Sequence, residues 1–324
     1  MVRLLAWLNK WRTRAGHVPT ISCGIALQEQ QLVAVQVSQP PGQKPRLVDV
    51  ATLSAYEGLN ANLLKQLSQS LDLSNSALHL VLGAHQYRHQ IVELPNVPAE
   101  ELKQALGWRL ADLFADHQSQ QAPSVSDFTF DVLALPSAQF GKSASQAFVF
   151  GLPNSVLNPL QMAFHEASLP LGVVDVAALS QRNLSTGVSP EGSGQAVLSF
   201  HESGGLLTVT QGADLYLVRH LETSLAQLMQ SDDVGRQQLL ERVALDVQRS
   251  FDVFDRQYHS VNVSKLLLAP MPPMPGVLQS LQQNLFVAVD WFDLSAQFTL
   301  PEGVHPWLLW NALGAALRPL EEVA

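Results

Sequence analysis

Three adjacent residues, Gly141, Lys142 and Ser143, have the residue types found at the end of a phosphate-binding P-loop. In that motif the backbone amides and the lysine bind phosphates, the serine binds Mg²⁺, and an upstream glycine starts the loop. The upstream position here is Pro136. Strands are expected on both sides of the triplet, whereas a P-loop joins a strand to a helix. The pattern therefore predicts a hairpin tip and no phosphate site.

Metal and nucleophile chemistry have equally little support. His85 and His89 are four residues apart in a segment with strand character, so they share a face only loosely, and no H-E-x-x-H pair or cysteine partner completes a zinc site. The single cysteine, Cys23, lies in an apolar strand, where a thiol is typically buried and unreactive. No G-x-S-x-G motif of serine hydrolases occurs. We expect no catalytic residues and no metal.

Composition narrows the class of protein further. The chain has 324 residues, of which 47% are hydrophobic, enough for one large core or two smaller ones. No run approaches the roughly 18–20 consecutive apolar residues that span a bilayer. One cysteine allows no internal disulfide, as in proteins of a reducing compartment. The lack of an apolar span and the single cysteine together predict a cytoplasmic protein. The net charge of −9 argues against nucleic acid as the main partner.

The first 18 residues differ from the rest because they are basic. Residues 1–16 contain no acid and four cations, namely Arg3, Lys10, Arg12 and Arg14. On a helix, the apolar side chains form one arc, and those expected to contact a membrane are Leu4, Trp7, Leu8 and Trp11. Tryptophans bordered by cations are typical of helices that lie on a membrane surface. The alternative is a helix that packs on its own domain.

Two similar runs of strands organise the remainder. The first is rich in Val, Ile and Leu, predicts an antiparallel meander, and comprises residues 21–27, 31–37 and 46–54. After a Ser-, Gly- and Pro-rich linker the pattern returns at residues 195–201, 205–211 and 214–221. The chain therefore consists of two βββ-containing halves, a weak internal repeat that divides near residue 190.

Helices and further strands follow each meander. In the first half, helices are predicted at 60–71, after Pro98, at 153–166 and at 176–184, and strands at 77–83, 90–94, 127–135, 146–151 and 171–174. In the second half, helices are predicted at 240–258, 276–284 and 307–317, and strands at 265–269 and 286–289. The helix at 240–258 has the clearest apolar stripe.

Several local motifs, in their order along the chain, resemble one known family. They are ELPNVPAEEL at 93–102 followed by Trp108, FVFGLP at 148–153, AFHEASL at 163–169, VDVAAL at 174–179, DVQRSFD at 246–252 and LGAALR at 313–318. The pattern is similar to the PilM-like proteins of type IV pilus assembly, in particular those of the mannose-sensitive hemagglutinin (MSHA) pilus. The resemblance covers roughly residues 20–318.

The resemblance implies an α/β protein with the actin-like (ribonuclease H-like) fold, in which doubled βββαβα units form two lobes around a nucleotide cleft. Its segments would be a basic N-terminal helix at 1–18, lobe I at 19–190, an inserted subdomain at about 86–150, lobe II at 191–303 and a C-terminal helix at 304–324 that returns to lobe I.

Superfamily members that bind ATP use one glycine-rich hairpin in each lobe, and an Asp at each strand end positions the metal. The first hairpin should read Gly-Ile-Asp-Ile-Gly-Ser-Ser, but this sequence has Gly-Ile-Ala-Leu-Gln-Glu-Gln at 24–30. The acid is therefore Ala26 and the close-approach glycine is Gln28. Glu29 adds a negative charge where a phosphate would lie.

The second hairpin departs from the expected Asp-x-Gly in the same way. Ser199 replaces the acid and His201 the glycine, although Gly204 and Gly205 remain and would serve a tight turn. Where nucleotide-binding members have a Gly-Gly pair that faces the adenosine, this sequence has Ala269 in the first position. We expect a degenerate cleft, a pseudo-ATPase, and neither ATP nor Mg²⁺ as a cofactor.

For partners, the resemblance implies a scaffold that grips the N-terminal tail of a PilN-like bitopic inner-membrane protein. In this family the groove lies between the core of the first lobe and the inserted subdomain. That position indicates residues 90–94 and the side chains of Leu102, Leu106, Trp108 and Leu110. The chain would lie at the cytoplasmic face of the inner membrane, with the N-terminal helix as a second weak attachment.

Three alternatives compete with this interpretation. An active actin-like ATPase that regulates the pilus platform would need the hairpin residues missing here. A GspL-like cytoplasmic module of type II secretion would continue into a membrane span, which this sequence does not show. A sugar kinase of the same fold would need a catalytic Asp, and none is found in an expected loop.

Overall fold

The computed structural model describes residues 21–28, 30–40, 42–95, 97, 101–102, 104–107, 110, 125–136, 146–188 and 192–319. Several sequence predictions lie outside these residues: those at Leu4, Trp7, Leu8, Trp11, Glu29, Trp108 and the 141–143 triplet. Within the described residues, no helix has the length and apolar character needed to cross a membrane.

The regular elements follow one another as two related halves. The strands are β1 Ile21–Gln28, β2 Gln31–Ser38, β3 Arg46–Ser54, β4 Ser76–Leu82, β5 Arg88–Glu93, β6 Phe128–Ala134, β7 Gln146–Pro153, β8 Leu171–Val176, β9 Gly194–His201, β10 Gly204–Gln211, β11 Asp214–Leu221, β12 Val263–Leu268 and β13 Ala288–Trp291. The helices are α1 Ala61–Ser70, α2 Asn154–Glu166, α3 Ala177–Thr186, α4 Leu225–Gln230, α5 Asp233–Gln257, α6 Val277–Asn284 and α7 Pro306–Ala316.

The two large sheets have equivalent strand orders. Lobe I has the order β3-β2-β1-β4-β8, and lobe II has the order β11-β10-β9-β12-β13. In each sheet the first three strands pair antiparallel and the last two join them in parallel. The central strands β1, β2, β9 and β10 are buried on both faces, which explains why most of their residues are apolar. This equivalence confirms the predicted doubling of a βββαβα unit.

A third sheet, of order β5-β7-β6, is inserted between β4 and α2. Its strands are antiparallel, and helical residues between 102 and 110 cover one face. The small core of this inserted sheet consists of Val92, Leu102, Leu106, Leu110, Val132, Ala147 and Val149. The insertion therefore has a hydrophobic core of its own.

Two helices cross between the lobes. Helix α3 follows the last strand of lobe I and packs on β10 of lobe II, while α7 follows lobe II and packs on β1 and β2 of lobe I. The two helices also touch each other, and a Cβ atom at Gly314 would lie 2.3 Å from the carbonyl oxygen of Ser180. A Cβ atom at Gly24 would lie 1.9 Å from the carbonyl oxygen of Ala312. Both contacts require glycine because the backbones approach so closely.

Side chains of lobe I bind the last turn of α7, where helix carbonyls lack partners within the helix. His79 Nδ1 donates to the carbonyl of Ala315 at 2.9 Å, and Gln39 Nε2 donates to the carbonyl of Ala316 at 2.6 Å. Just beyond the helix, Arg318 pairs with the buried carboxylate of Asp175 at 3.3 Å. These contacts fix α7 on lobe I.

The structure corrects three local predictions. Helix α5 begins at Asp233, not at residue 240, because the Asp232 carboxylate accepts a hydrogen bond from the Gly235 amide and caps it. The short helix α4 was not predicted, and a capping box formed by Ser224 and Gln227 starts it. Helix α2 begins at Asn154, one residue after the predicted start at 153, and the Asn154 side chain bonds to the inserted sheet and to the turn before that sheet's strand β6.

Candidate functional site

The two predicted phosphate hairpins are tight turns. Gln28 pairs with Gln31 across the first turn, and His201 pairs with Gly204 across the second. Gly204 has a φ of 142°, and a Cβ atom there would lie 2.4 Å from the carbonyl oxygen of Leu221. Backbone geometry thus accounts for this glycine without any ligand.

Both alanines of the predicted cleft are buried between the lobes. Ala26 at the end of β1 and Ala269 after β12 are each 2% exposed. They belong to one hydrophobic cluster that contains residues of both lobes and of α7, among them Val81, Val197, Leu267, Leu309 and Trp310. An aspartate at position 26 would place its charge in this apolar cluster, so Ala26 fits its surroundings.

The indole of Trp310, on α7, lies in the same cluster and is 2% exposed. Its ring meets that of Phe292 edge to face, with centroids 4.9 Å apart. Its Nε1 atom donates to the side-chain oxygen of Gln181 at 3.4 Å. The bond gives the buried indole nitrogen the partner that such groups normally have. It also connects the aromatic cluster to a set of buried polar side chains around Gln181, which form the polar floor of the cleft.

Gln181, on α3, is the centre of that polar floor and is fully buried. Its amide nitrogen donates to the carbonyl of Val197 at 2.9 Å and to the hydroxyl of Thr208 at 3.0 Å. Its side-chain oxygen accepts from the Ser199 hydroxyl at 2.6 Å. The connecting helix is therefore bonded directly to the lobe II strands that would carry a phosphate loop.

Ser199 and His201 are brought together, with Ser199 Oγ and His201 Nε2 2.8 Å apart. The hydroxyl proton of Ser199 is committed to Gln181, so His201 must donate from Nε2. A histidine that donates to the serine cannot act as its base, which excludes a nucleophile and base pair in this arrangement. Burial lowers the pKa of His201 to about 4, so the imidazole is neutral at neutral pH.

Gln28 has a different partner from the other predicted cleft residues. Its amide nitrogen donates to the carbonyl of Trp307, in the first turn of α7, at 2.9 Å. Gln28 thus joins the first hairpin to α7, while Ser199 joins the second hairpin to α3. Two of the side chains that replace expected phosphate-loop residues, Gln28 and Ser199, therefore bind the two crossing helices.

A second set of contacts joins the inserted sheet to lobe II. The Tyr87 hydroxyl, just before β5, lies 3.4 Å from Nε2 of His220 on β11. The rings of His89 and His220 meet edge to face with centroids 4.8 Å apart, and His89 Nε2 lies 3.3 Å from the carbonyl of Val218. Burial lowers the pKa of His89 and, with the neighbouring imidazoles, lowers that of His220 to about 4.

The predicted partner-binding leucines lie in the core of the inserted sheet. Leu102, Leu106 and Leu110 are 7%, 1% and 2% exposed. Among the described residues of the insertion, Ile91 on β5 is an exposed large apolar side chain, at 45%. The assignment of these leucines to a partner groove stays a prediction, and their burial indicates that they would support such a groove from beneath.

Metal ligation finds no support among the described residues, where no group of three or more His, Cys, Asp or Glu side chains could hold an ion. Cys23 is buried, and burial raises the pKa of its thiol to about 12. A thiol with that pKa is a poor nucleophile at neutral pH.

Sequence reasoning missed Gln181, Trp310, Tyr87 and His220. One signal was available for Gln181: it lies in a run of four polar residues, 180–183, directly after the apolar segment 176–179. Polar residues in that position predict either a solvated helix face or a buried network, and periodicity alone does not distinguish the two. No comparable signal marks the other three residues.

Comparisons with known proteins identify the fold. No protein-family model matches the sequence, and no curated protein matches it. Among solved structures, the chain is similar to one described as a PilM–PilN type IV pilus biogenesis complex. The TM-score is 0.70 at 18% identity, and the match covers 93% of this chain and 99% of that chain.

Two weaker similarities were also found. One is to a protein from Bacteroides thetaiotaomicron with an actin-like ATPase fold and unknown function, with 11% identity, 87% and 93% coverage of the two chains and a TM-score of 0.49. The other is to the cytoplasmic domain of EpsL, an inner-membrane component of the type II secretion system of Vibrio cholerae, with 14% identity, 82% and 94% coverage and a TM-score of 0.46. With its doubled topology and inserted sheet, this chain has the actin-like two-lobe fold.

Proposed function

We propose that this protein is a cytoplasmic scaffold of a type IV pilus assembly machine of the MSHA type. The observation that carries the proposal is the similarity to the PilM–PilN structure over nearly the full length of both chains. The sequence motifs that resemble the PilM-like proteins support it independently, because they extend from the inserted sheet to α7. The scaffold would lie at the cytoplasmic face of the inner membrane.

Its partner in this proposal is the N-terminal tail of a PilN-like inner-membrane protein. Strand β5 lies at the edge of the inserted sheet, and its Gln90, Ile91 and Glu93 side chains are exposed. An extended peptide can bind such a strand through main-chain hydrogen bonds while apolar side chains fill pockets beside it. Ile91 would supply the apolar contact, and the buried leucines of the covering helix would hold the sheet in place.

We further propose that the cleft hydrolyses no ATP. The positions expected to carry phosphate-loop residues are instead bonded to α3 and α7 or buried among apolar side chains, as Ser199, Gln28 and Ala26 illustrate. The two positions where an acid is expected are occupied by Ala26 and Ser199, neither of which carries a carboxylate. Without those acids the metal that accompanies ATP lacks its positioning groups.

The basic N-terminal helix would add a membrane contact to the partner contact. Its Leu4, Trp7, Leu8 and Trp11 would enter the headgroup region, where a short helix with few cations binds reversibly. Two weak attachments on one molecule raise the overall affinity because the second event is intramolecular.

The direct test is fluorescence anisotropy of a labelled N-terminal tail peptide from a PilN-like protein of the same organism. Binding is expected for the native tail and not for a scrambled one. Ile91→Asp should weaken binding by about tenfold or more, roughly 1.4 kcal/mol. Val253→Asp, at a side chain 59% exposed on lobe II, is the matched control and should bind normally. Equal binding of native and scrambled tails would refute the proposal.

A further inference from the structure

The cleft between the lobes is spanned twice by side chains of this chain. The first set, the floor bridge, consists of Gln181, Ser199, Thr208 and Trp310. The second set, the rim bridge, consists of Tyr87, His89, Val218 and His220. The floor bridge joins α3 and α7 to lobe II, and the rim bridge joins the inserted sheet and the residue before it to lobe II.

The floor bridge uses the full hydrogen-bonding capacity of one buried amide. The Gln181 nitrogen donates to lobe II, and its oxygen accepts from Ser199 and from Trp310 of α7. Opening the lobes would break these hydrogen bonds together and would expose part of the hydrophobic cluster that contains Trp310 to water. Both effects cost free energy, so the bridge resists opening.

The rim bridge acts on the inserted sheet. Tyr87 immediately precedes β5, and its hydroxyl also accepts a backbone hydrogen bond from Ala178 in the first turn of α3. The Tyr87 ring lies 5.7 Å from that of His220 and 6.0 Å from that of Phe150 on β7. One side chain thus contacts α3, lobe II and the inserted sheet together.

The hydrophobic core continues across the same boundary. One buried cluster contains Ile25 and Leu80 of lobe I, Phe148 and Phe150 of the inserted sheet, and Leu206 of lobe II. Sliding the inserted sheet away from lobe II would separate parts of that cluster and expose apolar surface. The polar bridges and the shared core therefore favour the same closed arrangement.

We propose that the floor bridge and the rim bridge hold the lobes and the inserted sheet in one closed arrangement without nucleotide, so that the proposed tail-binding surface keeps a fixed geometry. We call this closed arrangement the lock. The lock does not depend on the proposed function, whereas its consequence for tail binding does rest on that function. In an actin-like protein that opens and closes around a ligand, these contacts would have to break in each cycle.

Double electron–electron resonance tests the lock on the full chain. Spin labels are attached at Gln104→Cys on the inserted sheet's helix and Gln238→Cys on α5, both exposed positions. The native Cys23 is buried with a raised pKa, so it does not compete for label. A single narrow distance distribution is expected, unchanged by millimolar Mg-ATP. A broad or two-peaked distribution, or one that Mg-ATP changes, would overturn the proposal.

Variants test the rim bridge itself. Tyr87→Phe combined with His220→Ala should broaden the distribution, while Tyr216→Phe should not, because the Tyr216 hydroxyl bonds to Gln211 within lobe II. An unchanged distribution in the double variant would refute the rim bridge. If that variant does not fold, the native chain still decides the proposal through its own distribution.

The tail peptide separates this proposal from the proposed function. Anisotropy is measured on the same spin-labelled samples. A narrow distribution without tail binding supports the lock and contradicts the partner assignment. Tail binding with a broad distribution contradicts the lock and leaves the partner assignment standing.

Discussion

The side-chain oxygen of Gln181 accepts a hydrogen bond of 2.6 Å from the hydroxyl of Ser199, at the strand end where a nucleotide-binding relative would carry an acid. This bond links the helix that leaves lobe I to the first strand of lobe II. A position that would hold a metal-binding acid is thereby part of the internal hydrogen bonding of the fold.

Replacing Gln181 should therefore be costly. Gln181→Leu keeps the approximate size but leaves the Ser199 hydroxyl, the Thr208 hydroxyl and a strand carbonyl without this partner. We expect a loss of about 2–4 kcal/mol in the free energy of unfolding, because several buried groups lose a bond at once. Urea unfolding measures it. The exposed Gln238→Leu is the control and should change stability by less than about 0.5 kcal/mol.

The close approach of α3 and α7 gives a second prediction. Gly314→Ala would put a Cβ atom 2.2 Å from the Ser180 hydroxyl and 2.3 Å from its carbonyl oxygen, so the helices must separate. We expect destabilisation of about 3 kcal/mol or more. Gly303→Ala, at a positive φ with open space around it, should cost only about 1 kcal/mol. Equal melting temperatures for the two variants would contradict the assigned helix contact.

Restoring the missing acid should not restore nucleotide binding. Ala26→Asp places a carboxylate in the cluster that contains Ala269 and Trp310, with no described cation in that cluster to pair with it. We expect destabilisation of about 3 kcal/mol or more, because an unpaired charge would be buried. Calorimetric unfolding measures the loss, and Ala26→Ser is the milder control. A variant that gains Mg-ATP binding would show that the cleft is open to a nucleotide.

Stability should fall in mild acid. Burial lowers the pKa of His201 and of His220 to about 4, whereas an unfolded imidazole titrates near 6.5. The unfolded chain therefore takes up these protons first, and the free energy of unfolding decreases as the pH falls from about 6.5 towards 4. The slope is about 1.4 kcal/mol per pH unit for each such histidine once the pH is well below 6.5. The lowered pKa values of His79 and His89 act in the same direction.

Urea midpoints at a series of pH values between about 7 and 4 measure this dependence. His220→Phe should flatten the slope, since one of the titrating groups is removed. Asp72 and Asp293 should not contribute to this slope. Hydrogen bonds from Ser74 and Ser295 lower the pKa values of these two carboxyl groups below the ordinary 3.8. Their contribution to the free energy of unfolding is therefore lost only below a pH of about 3.8. A midpoint that stays constant across the whole range would contradict the buried, neutral histidines.

Much of the fold could be predicted from local sequence patterns, whereas the side-chain contacts in the cleft could not. The strands of both meanders could be predicted because runs such as Ile21–Gln28 and Gly194–His201 are mostly apolar and end at short turns. The start of α5 was missed because Asp232 and Asp233 look like loop residues until the cap is seen. The resemblance to a family supplied how the two halves assemble, which periodicity cannot give.

The residues that bind one another in the cleft are far apart in sequence. Gln181 and Trp310 are separated by 129 positions, and Tyr87 and His220 by 133. Residue types at 26, 28, 199 and 201 showed that expected groups are missing, but not what had replaced their interactions. Side-chain networks depend on tertiary packing, so only the structure could identify Gln181 as the centre of the cleft floor.

Thermal unfolding with and without millimolar Mg-ATP tests the central claim most directly, namely that the cleft is occupied by the protein's own side chains. A site with a dissociation constant a hundredfold below the nucleotide concentration would add about 2.7 kcal/mol of stability and raise the melting temperature clearly. We predict the same melting temperature in both samples. A reproducible rise with Mg-ATP would contradict the account, because it would require a nucleotide site among Ala26, Gln28 and Ser199.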